Sequence, residues 1–229
     1  MWRREATKFG LGLAAAGLLS VGLAAIGPRA PAQAQARQRK LAPRDESGRD
    51  KGVKAVIDAL RAAAAAKAPD RLKPLLAEEV HESFGGDGSA AGFVESFRRK
   101  PALWAELETA IRLGGSFINP TTYASPYVYA DFPDGLDGHR HHVVLGENVP
   151  LHEAPRDTAI VGQRLTHDIV RREAPEPGVR VPSDWLRVRP PFGQVGYVRK
   201  SYLRSPIDYR LVIEKRGERW LVTAFIAGD

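Results

Sequence analysis

The chain of 229 residues contains no cysteine. It therefore cannot form a disulfide, has no thiol nucleophile and has no cysteine to carry a lipid anchor. The Gly-x-Ser-x-Gly sequence of serine hydrolases and the His-Glu-x-x-His sequence of zinc peptidases are also missing. Since 43% of the residues are apolar and 27% are charged, the composition is that of an ordinary globular protein with a core.

The first 36 residues have the pattern of a secretory signal. A charged start with Arg3 and Arg4 precedes the apolar residues 9–27, and Ala34 and Ala36 have the spacing of a cleavage site. We expect cleavage after Ala36, with Ala34 as the alternative, and a periplasmic or secreted protein with no stable membrane anchor. A retained anchor is the competing interpretation, and the arginine pair leaves general and twin-arginine export both open.

The basic charge belongs partly to this segment. The formal charge is +7, but the first 36 residues carry four of the 34 basic and one of the 27 acidic residues. The remaining chain has 30 basic and 26 acidic residues, a net charge of +4. Residues 37–51 are polar and basic, and we expect them to be a disordered linker.

Residues 52–142 predict a helical and α+β domain. Apolar residues at helical spacing indicate a helix from residue 52, and Ser89 and Pro101 are good starts for two more. A short helix is expected after Asp70 with three leucines inward, and alternation predicts strands at 79–84 and 127–132. The leucines are Leu72, Leu75 and Leu76.

The rest of the chain is predicted to be β-structure. Short β runs separated by turn signals fill residues 143–204 and suggest a small barrel. Residues 205–229 predict a hairpin with Gly217 in the turn and Trp220 on its apolar face. Because an isolated two-stranded hairpin is marginal in water, it needs another sheet to join.

Residues 143–204 resemble the bacterial SH3-like domain. The resemblance is carried by the loop at 148–163, by "DWLRVR" and by the closing "GYVRKSYL", in which Gly196, Tyr197, Val198, Tyr202 and Leu203 match. It implies a small all-β barrel. Domains of this kind bind peptides through aromatic-lined grooves.

The flanking parts are similar to the cone-shaped fold of nuclear-transport-factor-2-like proteins. That fold packs helices on a curved antiparallel sheet and ends in a hairpin like "LVIEKRGERWLVTAF". The chain also resembles exported bacterial proteins that end in "YLRSPIDYR" and a tryptophan-containing hairpin. Together these imply an α+β protein in which an SH3-like unit is inserted and the hairpin 205–229 completes the first domain, 52–142. An arrangement of simple tandem domains stays open.

The candidate ligand-binding residues are Trp185, Arg187, Tyr197 and Tyr202. Trp185 and Tyr197 could line a groove for a peptide or glycan stem, and the alternative for both is barrel core. Basic residues around the last two barrel strands could meet an anionic envelope polymer, or simply be solvated. They are Arg187, Arg189, Arg199, Lys200 and Arg204.

Two other features have an ordinary structural interpretation. The cluster "HRHH" at 139–142 could bind zinc or copper, but adjacent histidines on a strand point to opposite faces, so a polar loop is preferred. The segment 84–93 lacks a nucleotide-binding pattern and is expected to be a turn capped by Ser89, with Asp87 as the candidate base if the first domain has a cavity. We expect no metal and no cofactor.

The sequence therefore predicts an exported, non-enzymatic binding or scaffold protein of the cell envelope. Peptidoglycan or an envelope protein is the expected partner, and nucleic acid is not expected. The alternative is a small-ligand binder or enzyme that uses a cavity of the cone-shaped domain. The oligomeric state stays open.

Overall fold

The computed structural model describes residues 40–82 and 88–228. They lie in one compact unit of mixed α+β structure, with one five-stranded and one seven-stranded sheet and few helices. The expected signal segment, 1–36, and the turn that holds Asp87 lie outside the described residues. Among the described helices, none has the length and apolar character needed to cross a bilayer.

The α-helices of the described residues are α1 (Lys51–Ala65), α2 (Ala90–Arg99), α3 (Ala102–Arg112) and α4 (Tyr127–Ala130). Two of them, α2 and α3, begin at the predicted starts, Ser89 and Pro101. The Asp50 carboxylate accepts hydrogen bonds from the N–H groups of Gly52 and Val53, and Ser89 Oγ accepts one from Gly92 N. After α3 the chain turns at Gly114, whose φ of 71° favours glycine.

The strands of the described residues form two separate sheets. The strands are β1 (Leu76–His81), β2 (Ser116–Asn119), β3 (Thr122–Ser125), β4 (His141–Val144), β5 (Val149–His152), β6 (Val161–Leu165), β7 (Ile169–Arg172), β8 (Trp185–Arg189), β9 (Gly196–Arg199), β10 (Leu203–Arg204), β11 (Arg210–Arg216) and β12 (Arg219–Ile226). Those of the first sheet lie in the order β1-β12-β11-β3-β2, and those of the second in the order β10-β4-β7-β8-β9-β5-β6.

Helices α1, α2 and α3 cover the five-stranded sheet and build the larger core with it. Phe97 of α2 packs with its ring centroid 4.7 Å from that of Trp104 and 5.9 Å from that of Phe225 on β12. Leu60 of α1 and Leu107 of α3 are almost completely buried in the same cluster. Large apolar side chains therefore fill the space between the helices and the sheet.

The C-terminal hairpin belongs to the five-stranded sheet, as expected. β11 and β12 turn through Gly217 at a φ of 62°, β11 pairs with β3, and β12 pairs with β1. The chain therefore leaves this sheet after β3, builds the seven-stranded sheet, and returns for the two strands at 210–226. The seven-stranded sheet is an insertion between β3 and β11.

The expectation of an antiparallel first sheet is wrong for one pair. β1 runs parallel to β12, with Leu76 opposite Val222, whereas the other pairs are antiparallel. A parallel pair needs a long crossover. The pair forms here because β1 and β12 lie far apart in the sequence, with most of the described chain between them.

Two local predictions are also wrong. Residues 127–130 form the short helix α4 and not a strand, because burial of Tyr127 and Val128 between the sheets outweighs a brief alternating pattern. The helix expected after Asp70 is replaced by two 3-10 turns, Pro69–Arg71 and Lys73–Leu75. Pro74 has no N–H to continue a helix, and Leu76 already pairs with β12.

The segment 40–50, expected to belong to a disordered linker over 37–51, is ordered and touches both sheets. Lys40 forms an ion pair with Asp168 (3.0 Å). Further along, Glu46 accepts a hydrogen bond from Phe117 N (3.1 Å) through Oε2, and Asp45 Oδ1 lies 3.3 Å from the Tyr123 hydroxyl. The composition of this segment predicts that its charged residues are solvated. In the folded chain they instead contact residues that are distant in the sequence.

A separate apolar cluster packs α4 against the seven-stranded sheet. It contains Tyr127 and Val128 of α4, Val143 of β4 and Ile169 of β7, with Leu41 from the segment 40–50 packed against them. Because residues of α4 and of the inserted sheet share this core, the inserted sheet is packed directly against α4.

Candidate functional site

A cleft of about 570 Å³ lies where the inserted sheet meets the hairpin and α3. We refer to it as the junction cleft. Its walls come from α3, from β4, β7 and β8, and from the turns before and after β10. Most of its lining residues are charged or polar, and they are Glu106, His142, Arg172, Leu186, Lys200, Leu203, Arg204, Asp208, Tyr209 and Ala227.

Arg204 is the most deeply buried charge of the junction cleft, with only 9% of its surface exposed. Its guanidinium donates to Glu106 Oε2 (3.2 Å) and to the carbonyl of Tyr209 (2.9 Å), and its Nε lies 3.5 Å from Asp208 Oδ2. Nε has no hydrogen-bond partner among the described residues. A buried arginine is thus held by two carboxylates that reach it from different elements.

The sequence Ser-Pro-Ile-Asp at 205–208 shapes one wall of the cleft. Asp208 Oδ2 accepts a hydrogen bond from Ser205 N (2.9 Å), which closes the turn. Ser205 Oγ donates to the carbonyl of Gly138 (3.3 Å), and the carbonyl of Ile207 accepts from Gly228 N (2.8 Å). This turn therefore fixes the place where the inserted sheet ends and the hairpin begins.

His142 lies on β4 and presents its ring to the junction cleft. Its Nδ1 is buried and has no hydrogen-bond partner among the described residues. Burial lowers the pKa of His142, the nearby Asp208 opposes this effect, and Arg172, His141 and Lys200 add to it. A buried ring nitrogen without a partner is a group that a ligand could satisfy.

Two cations of the junction cleft are exposed and unpaired. Arg172, at the end of β7, and Lys200, directly after β9, form no ion pair with another described residue. Most other arginines of the inserted sheet have carboxylate partners. The cleft therefore combines one neutralised buried arginine with two cations that remain available to an anion.

The four residues predicted to bind a ligand do not form an open aromatic groove. Trp185 and Tyr197 are each 3% exposed. The Arg199 guanidinium lies over the Trp185 ring at 4.7 Å, and the ring of His152 packs edge-on against it at 5.3 Å. Arg199 is itself paired with Asp157 and Asp184. The Trp185 ring is therefore covered by a charged side chain of the same protein, and Tyr197 is buried.

Arg187 and Tyr202 lie in different surroundings from each other. Arg187 donates to the carbonyl of Ala174 (2.9 Å) and to Glu176 (2.5 Å), so it anchors the loop after β7. Tyr202 is 44% exposed and lines a separate hollow of about 270 Å³ beside His152 and Arg199. The structure brings Trp185, Arg187 and Tyr197 together on neighbouring strands and leaves Tyr202 at their edge.

The expected basic face is largely neutralised. Arg189 pairs with Glu173 (2.8 Å), and Arg187, Arg199 and Arg204 pair with the acidic residues given above. Only Lys200 of the five predicted basic residues is left without an ion pair to a described residue. Sequence reasoning missed Arg172, since nothing in its local sequence distinguishes it from the paired Arg171.

The side chains of His141 and His142 line different hollows, as expected for adjacent residues of a strand. His141 lines a hollow with Leu136 and Pro190, whereas His142 lines the junction cleft. His141 Nδ1 lies 2.9 Å from the carbonyl of Asp137. Over residues 40–82 and 88–228, no group of three or more potential ligands could hold a metal ion.

No protein-family model, curated protein or solved structure was found to match the chain. The assignment of the junction cleft as the candidate site therefore depends on the geometry of the cleft alone.

Proposed function

We propose that the protein is an exported, non-enzymatic binding protein of the cell envelope that holds an anionic group of its ligand in the junction cleft. The observation that carries the proposal is the pair of unpaired cations, Arg172 and Lys200, beside the buried Arg204 and the unsatisfied His142. Hydrogen bonds between charged groups are among the stronger polar contacts in water, at about 1.5–3 kcal/mol each. The carboxylates of peptidoglycan stem peptides carry the negative charge that such a site would bind.

The chemistry of the lining supports binding over catalysis. The residues that line the cleft include no serine and no threonine. Glu106 and Asp208, the two carboxylates, are both engaged with Arg204 and are therefore poor general bases. What the cleft offers an incoming ligand is charge and hydrogen-bond donors.

The proposal assigns the SH3-like resemblance a structural role. Part of it, "DWLRVR" and Gly196-Tyr197-Val198, lies on β8 and β9, and the chain there brings Leu186, Lys200 and Arg204 to the cleft. In this proposal the SH3-like unit supplies one wall of the site at its contact with the hairpin. Trp185 and Tyr197 stabilise the unit from its opposite side.

The alternative, a ligand or reaction inside the cone-shaped domain, is less well supported. The space between α1, α2, α3 and the five-stranded sheet holds large apolar side chains, among them Phe97, Leu107 and Phe225, which are almost completely buried. A polar pocket in this region would need them to move. Asp87, the candidate base, lies outside the described residues.

Sedimentation with purified peptidoglycan tests the proposal. We expect the wild-type protein to bind and the double variant Arg172→Ala/Lys200→Ala to bind at least about tenfold more weakly, because two charged contacts are lost. The matched control is Arg180→Ala/Lys215→Ala, which removes the same charge from exposed positions outside the cleft. Equal loss in both variants, or no retention of the wild-type protein at low salt, would refute the proposal.

The export part of the proposal has its own test. The motivating observation is the charged, apolar and small-residue pattern of residues 1–36. Fractionation of the host cell and N-terminal sequencing should find a periplasmic or secreted chain that starts at Arg37, or at Gln35 for the alternative site. A cytoplasmic chain that starts at Met1 would contradict it.

A further inference from the structure

We infer that binding of a dianion in the junction cleft is coupled to protonation of His142, so that the site holds doubly charged anions more tightly as the pH falls below neutral. This inference rests on the proposed function and names both the charge of the ligand group and a means of regulation. It requires three things of the structure: an imidazole in the wall of the cleft, a charge deficit that a proton can fill, and neighbours that respond to an anion.

The first requirement is met by the position of His142. The ring lines the cleft, and its Nδ1 lacks a partner among the described residues. His142 sits opposite Val170 of β7, two residues before Arg172. An anion held by Arg172 therefore lies near the imidazole, and protonation of the ring adds a positive charge to the wall of the cleft that faces the anion.

The second requirement follows from the charges that line the cleft. Arg172, Lys200 and Arg204 contribute three positive charges, and Glu106 and Asp208 contribute two negative ones. With a neutral His142 the lining has a net charge of +1, which a monoanion compensates. A dianion leaves one negative charge uncompensated in a partly enclosed site, and protonation of His142 compensates that charge.

The third requirement concerns every charged group that faces the ring. Asp208 favours the protonated imidazole, whereas Arg172, His141 and Lys200 disfavour it, and burial keeps the pKa of His142 below its ordinary value. Glu106 and Arg204 line the same cleft as an ion pair and largely offset each other. A dianion between Arg172 and Lys200 screens both cations and reverses the sign of the local field.

Thermodynamic linkage then fixes the direction of the pH effect. If the bound state takes up a proton that the free state lacks, the association constant rises as the pH falls, by at most about tenfold per pH unit for one proton. The rise occurs between the pKa of the bound state and that of the free state. It is absent for a ligand that does not change the protonation of His142.

Sulfate is a suitable probe, since it stays a dianion between pH 8 and pH 5. We would titrate the folded protein with sulfate at four pH values in this range and follow the histidine ring signals by NMR. The expected result is an affinity that rises severalfold to tenfold per pH unit below neutral, and a His142 ring pKa that is higher with sulfate than without it. Nitrate, a monoanion, should show a much smaller pH dependence.

Two variants test whether the pH dependence of sulfate binding comes from His142. His142→Gln should bind sulfate with a nearly flat pH profile, whereas His81→Gln, which removes an exposed histidine outside the cleft, should behave like the wild type. If His142→Gln fails to fold, the ring pKa of the wild-type protein with and without sulfate still decides. Sulfate binding with a flat profile and an unchanged ring pKa would overturn the inference and leave the proposed function standing. Absence of sulfate binding at every pH, together with absence of peptidoglycan binding, would refute both.

Discussion

Gly52 should resist replacement by alanine although it lies in a helix. It is the second residue of α1, and a new Cβ there would overlap Trp220 Cδ1 and lie 3.1 Å from Nε1. Trp220 is buried and packs edge-on against Phe117, with ring centroids 5.9 Å apart, so a shift of its ring disturbs this contact. The contact places the start of α1 directly against the C-terminal hairpin.

Two opposing effects decide whether this substitution raises or lowers the free energy of unfolding. Alanine is favoured over glycine in a helix by up to about 1 kcal/mol, whereas an extra carbon in a packed core costs about 1–3 kcal/mol. We therefore expect Gly52→Ala to lower the free energy of unfolding by about 1–2 kcal/mol. For a domain of this size that lowers the melting temperature by roughly 2–8 °C.

The control is Gly48→Ala, four residues earlier. No atom lies within 4 Å of a Cβ at this position, so the loss of backbone freedom in the unfolded chain should stabilise the protein by about 0.4–1 kcal/mol. Urea and thermal unfolding of both variants, with Gly52→Ala/Trp220→Phe as the relieved double variant, measure the difference. Gly52→Ala as stable as Gly48→Ala would refute the packing of α1 against the hairpin.

Two further predictions concern charge and aromatic burial. Arg204→Ala should lower the free energy of unfolding by about 2–3 kcal/mol, since it leaves a carbonyl and two carboxylates without their partner. Arg172→Ala should change it by no more than about 0.5 kcal/mol, and equal costs in urea unfolding would contradict the assignment of buried and free cations. Trp185→Ala should lower the free energy of unfolding by about 3–5 kcal/mol, and Tyr202→Ala should lower it by less than about 1 kcal/mol. A Trp185→Ala variant of unchanged stability that no longer binds peptidoglycan would support the aromatic-groove hypothesis instead.

The parts of the fold that were predictable from sequence depend on local chemistry. Ser89 and Pro101 mark helix starts because capping and the missing proline N–H act within one turn. Gly217 marks the hairpin turn because the positive φ that the turn needs is also a local property of the chain. The return of the hairpin to the first sheet was predictable because Trp220 needed a surface to cover it.

The parts that were wrong depend on contacts between distant residues. Alternation at 127–132 is too short to distinguish a strand from a helix whose Tyr127 and Val128 are buried between two sheets. The polar composition of 37–51 indicates disorder, but Lys40 finds Asp168 about 130 residues away. Long-range pairing of this kind has no local signature.

The candidate site was predictable only in part. Trp185 and Tyr197 stand out in the sequence because aromatic residues are typical of both grooves and cores, and the sequence does not show that Arg199 covers Trp185. Arg172 became a candidate because it lacks the carboxylate partner that Arg171 has. Which cations are free is a property of the folded surface.

The most direct test of the account is to map the binding of a soluble, carboxylate-bearing peptidoglycan fragment onto the folded protein by NMR chemical shifts. The account predicts that the largest shifts cluster at the junction cleft, on His142, Arg172 and Lys200, and disappear in Arg172→Ala/Lys200→Ala. Shifts centred on Tyr202 and the hollow beside Arg199, or no shifts at any fragment concentration, would contradict it.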